Sequence, residues 1–424
     1  MDDLKTKSIL VYDYGQCLEM ALRLGREFGK VYYFTPWADA APVSAKALVG
    51  RGLEDNNVIK VDYFFDFVDQ VDMIASFDTY NQDIMEYLKE NGYAVFAPGR
   101  GEYLETNRKF GRQIQESAGL PVQETIELRG LEALRDKLKQ GGGYFVKRNA
   151  LRGDIETFYA EDYETSRIYL DKLAVILGPR QDNIEFMLEK KIEGIEPGFD
   201  GIVIDGQYAN MCMWGFERKE SGYIGAVTQY KDLPSVIKQA PDSLSKFFAE
   251  FKTRSFFSTE IMLDKKGTGY LIDPTVRVPM TVGGALHQEL WSNLGAFIWA
   301  AANGKMIDLE TKYKYGCGTS LSSPWADSNW LQVDVDPKVR QYVKFSQLMG
   351  QDGKFYVVPG PASDPACTVI GLGQTVNEAL AMLKTNIAGV KGFELDADTG
   401  GIDNILEDIR EGAEYGLPDF TVEA

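Results

Sequence analysis

Ser258–Pro279 reads STEIMLDKKGTGYLIDPTVRVP, and the fold assignment turns on this stretch. Glu260-Ile-Met-Leu runs into Lys-Lys-Gly-Thr-Gly, and Tyr270-Leu-Ile runs out of it. Apolar runs on either side of a Gly-containing turn predict a β-hairpin. Each strand carries one carboxylate, Glu260 and Asp273, and Arg277 follows the second. Two carboxylates on paired strands suit Mg²⁺, a hard cation that takes oxygen ligands beside nucleotide phosphates. An arginine next to them suits a phosphoryl or acylphosphate oxygen, because its planar fork can bond two oxygens at once. Taken alone, the same residues fit the wet face of a surface hairpin equally well. The rest of the chain shifts that balance.

The chain has 424 residues, enough for two to four domains and a large core. Its 44% hydrophobic and 25% charged content is that of a soluble globular protein. The net charge of −18, without a Lys/Arg-rich block, argues against nucleic acid or an anionic membrane as partner. A nucleotide needs only a local positive pocket and is not excluded. The opening MDDLKTKSILVYDYG has too short an apolar run, preceded by acidic residues, for a secretory leader. No stretch approaches the roughly 20 apolar residues of a membrane span. LGAFIWAAANG, residues 294–304, reads as a buried helix, and a cytoplasmic location is expected. Cys17, Cys212, Cys317 and Cys367 are scattered, which argues against a disulfide framework or a zinc site. His287 is the sole histidine, so chemistry needing a His base or several His ligands is disfavoured, and it reads as a structural or surface residue.

SILVYDYG, KVYYFTPW, VDMIASFD and YAVFAPG read as strands, with amphipathic helices over CLEMALRLGREFG and QDIMEYLKENG. Alternation of this kind predicts an α/β class with a parallel, doubly wound sheet over residues 1–121. Ligands of such sheets sit beyond the strands' carboxyl ends, here Asp13–Gln16, Asp78–Asn81 and Pro98–Arg100. A single helix is expected over EYLETNRKFGRQIQESAG, and Leu120-Pro121 marks a boundary. A small α/β lobe is expected over 122–195, a larger lobe with the hairpin over 196–310, and a C-terminal unit over 311–424. Asp205-Gly206 predicts a tight turn, and Thr375-Val-Asn-Glu378 a capping box opening a helix that Gly389 ends.

Together these segments resemble the ATP-grasp superfamily of carboxylate–amine ligases, and most of the chain is similar to the phosphoribosylamine–glycine ligases. FAPGRGEYLETNRKFGRQIQESAGLP has the layout in which that family ends its first domain, with Arg108 (or adjacent Lys109) where a phosphate-binding Lys is usual. Lys147 in YFVK matches the second phosphate-binding Lys. NALRGDIET follows in the place of the phosphate flap, with Arg152 and Gly153 as its contacts. Leu188–Glu196, LEKKIEGIE, matches the adenine-and-ribose segment. Glu189 and the backbone of Lys190 to Ile192 would meet the adenine edge, and Glu196 the ribose hydroxyls. Glu260 and Asp273 match the two metal carboxylates, with Thr275 where Asn is usual. Arg277 and Lys147 take the catalytic positions. CTVIGLGQTVNEALAMLKTNIAGVKGFELD resembles the terminal domain. The resemblance implies an ATP-grasp fold, ATP and Mg²⁺ (or Mn²⁺) as cofactors, and an ADP-forming ligase reaction through an acylphosphate. Its partners would be a small carboxylate and a small amine, with a monomer and a homodimer both open. TQYKDLPSVIKQAPDSLSKF replaces the family's Gly/Asn/Thr-rich substrate passage, which points away from phosphoribosylamine and glycine as substrates. An authentic phosphoribosylamine–glycine ligase, a kinase-like transferase and a non-catalytic nucleotide-binding or regulatory protein on the same scaffold remain the alternatives.

Overall fold

The structure is a computed structural model and describes residues 3–39, 44–148, 157–218, 221–280, 282–360, 365–397 and 400–422. The chain opens on β1 (Ser8–Tyr12), α1 (Leu18–Gly25), β2 (Lys30–Phe34), β3 (Val58–Val61), β4 (Met73–Ser76), α2 (Gln82–Glu90) and β5 (Val95–Phe96). These strands form a parallel sheet in the order β3-β2-β1-β4-β5, so the expected doubly wound sheet is present. The order reverses between β1 and β4, which places the crevice for ligands beyond Asp13 and Asp78. β3 was not foreseen. It is four residues long and leaves Asn57, which has a positive φ of 62°, rather than a helix.

The single helix expected before Leu120 is two, α3 (Tyr103–Thr106) and α4 (Arg108–Ser117). Asn107 separates them in an extended conformation, and its side chain accepts from the Phe110 N–H, an N-cap that restarts the helix. A small antiparallel sheet follows: β6 (Thr125–Arg129), β7 (Tyr144–Arg148), β8 (Thr157–Ala160) and β9 (Glu185–Lys190), ordered β6-β9-β7-β8. α5 (Leu131–Gln140) and α6 (Tyr163–Leu177) bury Leu134, Leu138, Leu170 and Leu173 against it. This lobe has an apolar core of its own.

Among the described residues the large sheet has 11 strands. Its first part comprises β10 (Gly194–Ile195), β11 (Pro197–Ile204), β12 (Gln207–Tyr208), β13 (Met211–Arg218), β14 (Gly222–Gln229), β15 (Arg254–Asp264) and β16 (Gly269–Thr275). α7 (Ser235–Glu250), α8 (Val282–Leu290) and α9 (Leu294–Ala302) accompany it, the last being the expected buried apolar helix. β17 (Tyr315–Ser322) pairs with β14 and carries the sheet on to Cys367–Gly373. At α10 (Val376–Ala388) half of the expected capping box forms: the Thr375 hydroxyl accepts from the Glu378 N–H, while the Glu378 carboxylate accepts from the Gln374 N–H, one residue earlier than the box requires. α11 (Gly400–Glu411) closes the chain against β13 and β14. No helix among the described residues is long and apolar enough to cross a membrane.

The first and large sheets share one core. Phe77 and Phe96 meet Phe256 at 6.4 and 5.9 Å between ring centroids. Arg23 donates to the carbonyls of Gln288 and Trp291 at 2.6 and 3.1 Å, so α1 is tied to α8. His287 is buried in this core, where its Nδ1 accepts from the Trp291 indole, and burial drives its pKa down to about 3. It is a structural histidine.

The turn between β11 and β12 is held by geometry that only glycine satisfies at its second corner. Gly206 has a φ of 86°, and a Cβ there would lie 2.5 Å from the Ser245 carbonyl and 2.7 Å from Ala249 Cβ. Gly206→Ala is therefore expected to cost roughly 1–3 kcal/mol. Urea unfolding should show the midpoint fall with the slope unchanged.

Candidate active site

Alternation along strands decides which side chains face the site, because residues two apart share a face. On β16 and its exit these are Asp273, Thr275 and Arg277; on β15, Ser258 and Glu260; on β11 and its approach, Glu196 and Asp200. They line one cavity of about 310 Å³ on the face of the large sheet. Glu260 and Asp273 are direct cross-strand partners. Paired residues stand about 5 Å apart at Cβ, so both carboxylates converge on the same space. The register slips immediately after Glu260, leaving Ile272 as an extra residue. Such a bulge interrupts the ladder. The Ile272 carbonyl instead accepts from Lys147 Nζ at 3.0 Å.

A second cavity of about 150 Å³ lies between the small lobe and this hairpin. Arg108, Lys147, Glu189 and Ile192 line it, and it shares Glu196, Glu260 and Asp273 with the first. Seven of the expected site residues thus surround one pocket, and Glu260, Asp273 and Glu196 join it to Thr275 and Arg277. Of the two adjacent basic residues, Arg108 is the one that lines this pocket. It faces the pocket 3.5 Å from Asp273 Oδ1, whereas Lys109 turns to Glu127 at 2.6 Å. Lys190 is exposed, with its ammonium 5.3 Å from the Tyr144 ring. Arg152 and Gly153 lie outside the described residues.

Two residues absent from the sequence reading hold Glu189. Lys147 Nζ sits 2.9 Å from its Oε2, and Arg112 and Gln123 also bind the carboxylate. Burial alone would raise its pKa, but Lys147 and Arg112 outweigh burial and hold it below the usual carboxylate range. The signal for Arg112 was its spacing, one helical turn after Arg108 on α4.

Arg277 is anchored from the first domain. Its Nε donates to Glu105 Oε1 at 2.9 Å, its Nη1 to the Val278 carbonyl at 3.2 Å, and Asp78 Oδ1 lies 3.9 Å away. Glu105 also accepts from the Val276 N–H at 2.8 Å, and the Val278 N–H donates to the Phe77 carbonyl at 3.0 Å. The hairpin exit is thereby fastened to the crevice where the parallel sheet reverses. That crevice is acidic. Burial, opposed by the Tyr33 hydroxyl and reinforced by Asp78, pushes Asp13 up to about 6. Burial, opposed by the Tyr80 N–H and reinforced by Glu105, pushes Glu102 up to about 8.

Hard oxygen donors are the right chemistry for Mg²⁺, and Glu260, Asp273 and Thr275 supply them. No group of three or more His, Cys, Asp or Glu able to hold a metal occurs among the described residues. A two-carboxylate site agrees with an ion that takes most of its ligands from phosphate and water.

Comparison with solved structures defines the class: the chain has the fold of the ATP-grasp ligases. It matches a phosphoribosylamine–glycine ligase from Thermotoga maritima with a TM-score of 0.69 and 16% identity, over 92% of this chain and 99% of that one. It matches an L-amino acid ligase from Bacillus licheniformis with a TM-score of 0.60 and 15% identity, over 92% and 99% of the two chains. A third match is the biotin carboxylase domain of a 2-oxoglutarate carboxylase from Hydrogenobacter thermophilus, solved with MgADP, ADP and bicarbonate. There the TM-score is 0.64 and the identity 13%, over 92% and 91%. No protein-family model and no curated protein matches the sequence.

The Glu102 carboxylate tests the electrostatics of the crevice. Its folded pKa lies above its unfolded value, so the charged form is disfavoured in the folded state. Its cost to stability is absent well below pH 4.5, grows as pH rises, and is complete above about pH 8. Glu102→Gln should therefore stabilise the protein by up to about 4 kcal/mol at pH 9 and by close to nothing at pH 4. Chemical unfolding at the two pH values measures the difference.

Proposed function

We propose that the protein is an ATP-dependent carboxylate–amine ligase. A substrate carboxylate takes the γ-phosphoryl group of ATP, giving an acylphosphate and ADP, and an amine then displaces phosphate to form an amide. The observation that carries this reading is the convergence of Glu260, Asp273 and Arg277 on a cavity continuous with the pocket of Lys147, Arg108 and Glu196. A protein that only bound a nucleotide would have no use for the larger chamber beyond the phosphates. The fold shared with ligases supports the reaction class, and the structure solved with MgADP supports the nucleotide and the metal.

Phosphoryl transfer asks mainly for positioning and charge neutralisation. An ammonium has three donors. Glu189 and the Ile272 carbonyl take two of those on Lys147, and the third is directed at a phosphate oxygen. Arg108 adds a second positive charge at the same end. Glu196 accepts from the ribose hydroxyls, and Ile192 with the main chain after Glu189 borders the adenine. Glu189 itself acts by holding Lys147 in place. Glu260 and Asp273, with Thr275, would hold Mg²⁺, which when bound neutralises charge on the β- and γ-phosphates. Arg277, fixed in direction by Glu105, stabilises the oxygens of the acylphosphate and of the tetrahedral species that follows. Residues 1–121, 122–195, 196–310 and 311–424 form the proposed functional units, with the nucleotide between the second and third.

A second reading, a nucleotide-binding protein without turnover, has a specific observation behind it. Asp273 faces Arg108 and Arg277 binds Glu105, so both side chains have partners within the protein itself. Release of ADP and phosphate against a panel of acids and amines, with product mass spectrometry, decides between them. A ligase requires both substrates for amide formation, whereas ADP release with a phosphorylated acid and no amide would indicate a transferase.

Mg-ATP should raise the unfolding free energy by about 2.7 kcal/mol at a hundred times its dissociation constant. Melting curves that respond to another nucleotide and not to Mg-ATP would remove the adenine assignment. Asp273→Asn and Glu260→Gln should each abolish most turnover while the melting temperature without nucleotide stays within a few degrees. Each keeps side-chain size and removes one charge from the metal position. Wild-type ADP production by either variant at low Mg²⁺ would refute that role.

Arg277→Lys separates ligase from binding module. The substitution keeps the charge and loses the fork. A fall of ~100-fold or more in kcat is expected, on the scale of one lost preorganised donor. The ATP dissociation constant should move only a few fold, because the interaction belongs to the transition state. Equal losses in rate and affinity would place Arg277 in ground-state binding.

A further inference from the structure

The cavity beside the hairpin contains a carboxylate that none of the roles above uses. Asp200 lies on β11 and is 5% exposed, yet it lines the 310 Å³ cavity. Tyr223, on β14, donates its hydroxyl to Asp200 Oδ2 at 2.9 Å. No other hydrogen bond reaches this carboxylate among the described residues. The tyrosine reaches across β13 because the strands there are stripped of side chains. Gly215 and Gly225 are cross-strand partners, and a Cβ on Gly225 would lie 2.5 Å from the Tyr223 ring. The ring thus lies flat on the sheet and fixes Asp200 from one side. Oδ1 is left for whatever enters the cavity, with α8 starting close by: a Cβ on Gly283 would stand 3.5 Å from it.

The surrounding charge specifies the visitor. Glu196, Glu217, Glu260 and Asp273 line the same chamber, and Arg277 is the sole basic residue among its described lining. The Nε and Nη1 of that arginine are engaged by Glu105 and the Val278 carbonyl. A buried carboxylate needs a cation or hydrogen-bond donors to remain ionised. Here it has one neutral hydroxyl, and burial, opposed by Tyr223, carries its pKa up to about 6.

We propose that Asp200, oriented by Tyr223, is the subsite for the acceptor substrate and that it takes a primary amine in its ammonium form. This rests on the ligase reading above and adds to it the place, the charge state and the residues of amine recognition. An ammonium supplies the donors and the charge that Oδ1 lacks. It also cannot attack until it loses a proton. In the transfer step the bound ammonium gives one proton to Asp200. The nitrogen lone pair then bonds to the acyl carbon, and the carbon–oxygen bond to phosphate breaks with its electron pair on phosphate. The second N–H proton leaves on the phosphate. Asp200 afterwards returns its proton to solvent as product departs.

Amine binding needs no nucleotide, so it is measured apart from turnover. Saturation-transfer NMR on the full chain at neutral pH uses ethylamine as probe and ethanol as the uncharged control of the same size. Ethylamine should bind to the wild type and ethanol should not. Asp200→Asn should weaken ethylamine at least tenfold and Tyr223→Phe a few fold, with Mg-ATP binding unchanged in both. Undiminished ethylamine binding by Asp200→Asn, equal binding of ethanol, or no binding of ethylamine to the wild type overturns the assignment. Should Asp200→Asn fail to fold, the Tyr223→Phe result decides. With ATP and an acid from the ADP-release screen, a second arm compares nucleophiles. Hydroxylamine is already unprotonated at neutral pH and needs no base. Asp200→Asn should therefore keep hydroxamate formation and lose ethylamide formation at least tenfold. Equal loss of both products would make Asp200 a merely structural residue. A screen with no productive acid would refute the ligase reading and leave the amine-binding result standing by itself.

Discussion

Lys147 holds the site together. Its ammonium spans Glu189 on the small lobe and the Ile272 carbonyl on the hairpin of the large sheet, at 2.9 and 3.0 Å. Both partners exist only because of local structure. Glu189 is charged in a buried place because Arg112 shares it with Lys147. The Ile272 carbonyl turns toward Lys147 because the β-bulge after Glu260 takes it out of the ladder. The same bulge sits beside the pairing of Glu260 with Asp273, which sets two carboxylates face to face. Such a pair destabilises a sheet unless a cation joins it. Arg108 partly answers that need in the protein alone, and a metal with its nucleotide would answer it in full. The position of the pocket and the strain within it have a common origin in the hairpin.

Charge is distributed around the site with a clear polarity. Lys147, Arg108 and Arg112 gather at the smaller cavity, around Glu189 and Asp273. On the far strands the cavity lining is acidic, through Asp200 and Glu217, and beside it the crevice of the parallel sheet buries Asp13, Asp78 and Glu102. The net charge of −18 is therefore not an even coat. It includes several carboxylates buried against their electrostatic interest. Groups kept in such places at a cost in stability usually serve chemistry or recognition.

The sequence was most informative where period and turn chemistry agree. The parallel strands before residue 97, the Asp205-Gly206 turn, the helix cap at Thr375 and the hairpin carboxylates were all readable, because each depends on neighbours in the chain. Asn107 was not read as a break, since the run from Tyr103 to Ser117 has helical periodicity on both sides of it. β3 was missed because four residues leave no room for a pattern. In the candidate site, Glu260, Asp273 and Arg277 were singled out from the hairpin itself and Lys147 and Glu196 through the family resemblance, and all five line the joined cavities. Arg112 offered only its spacing from Arg108, and Asp200, Tyr223, Glu105 and Gln123 offered nothing. Their partners come from remote strands and helices, as with Glu105 and Arg277, and no local signal announces which oxygen a distant side chain will reach. β17 carries no apolar alternation of its own, being rich in Gly and Ser, and its place in the large sheet is set by pairing with β14 and with Cys367–Gly373.

The small lobe enters and leaves the molecule side by side. Thr125, its first strand residue, is the cross-strand partner of Glu189, next to its last. Its apolar core is closed within residues 126–188 and shares no buried side chain with the core of the two larger sheets. A body whose entry and exit strands are neighbours is joined to the rest along one edge, and its core and the other pack separately. Beyond the chain connections at its edge, the lobe meets the hairpin through polar contacts such as that of Lys147 with the Ile272 carbonyl, so its tilt against the large sheet is registered at a hydrogen bond and not in a packed core.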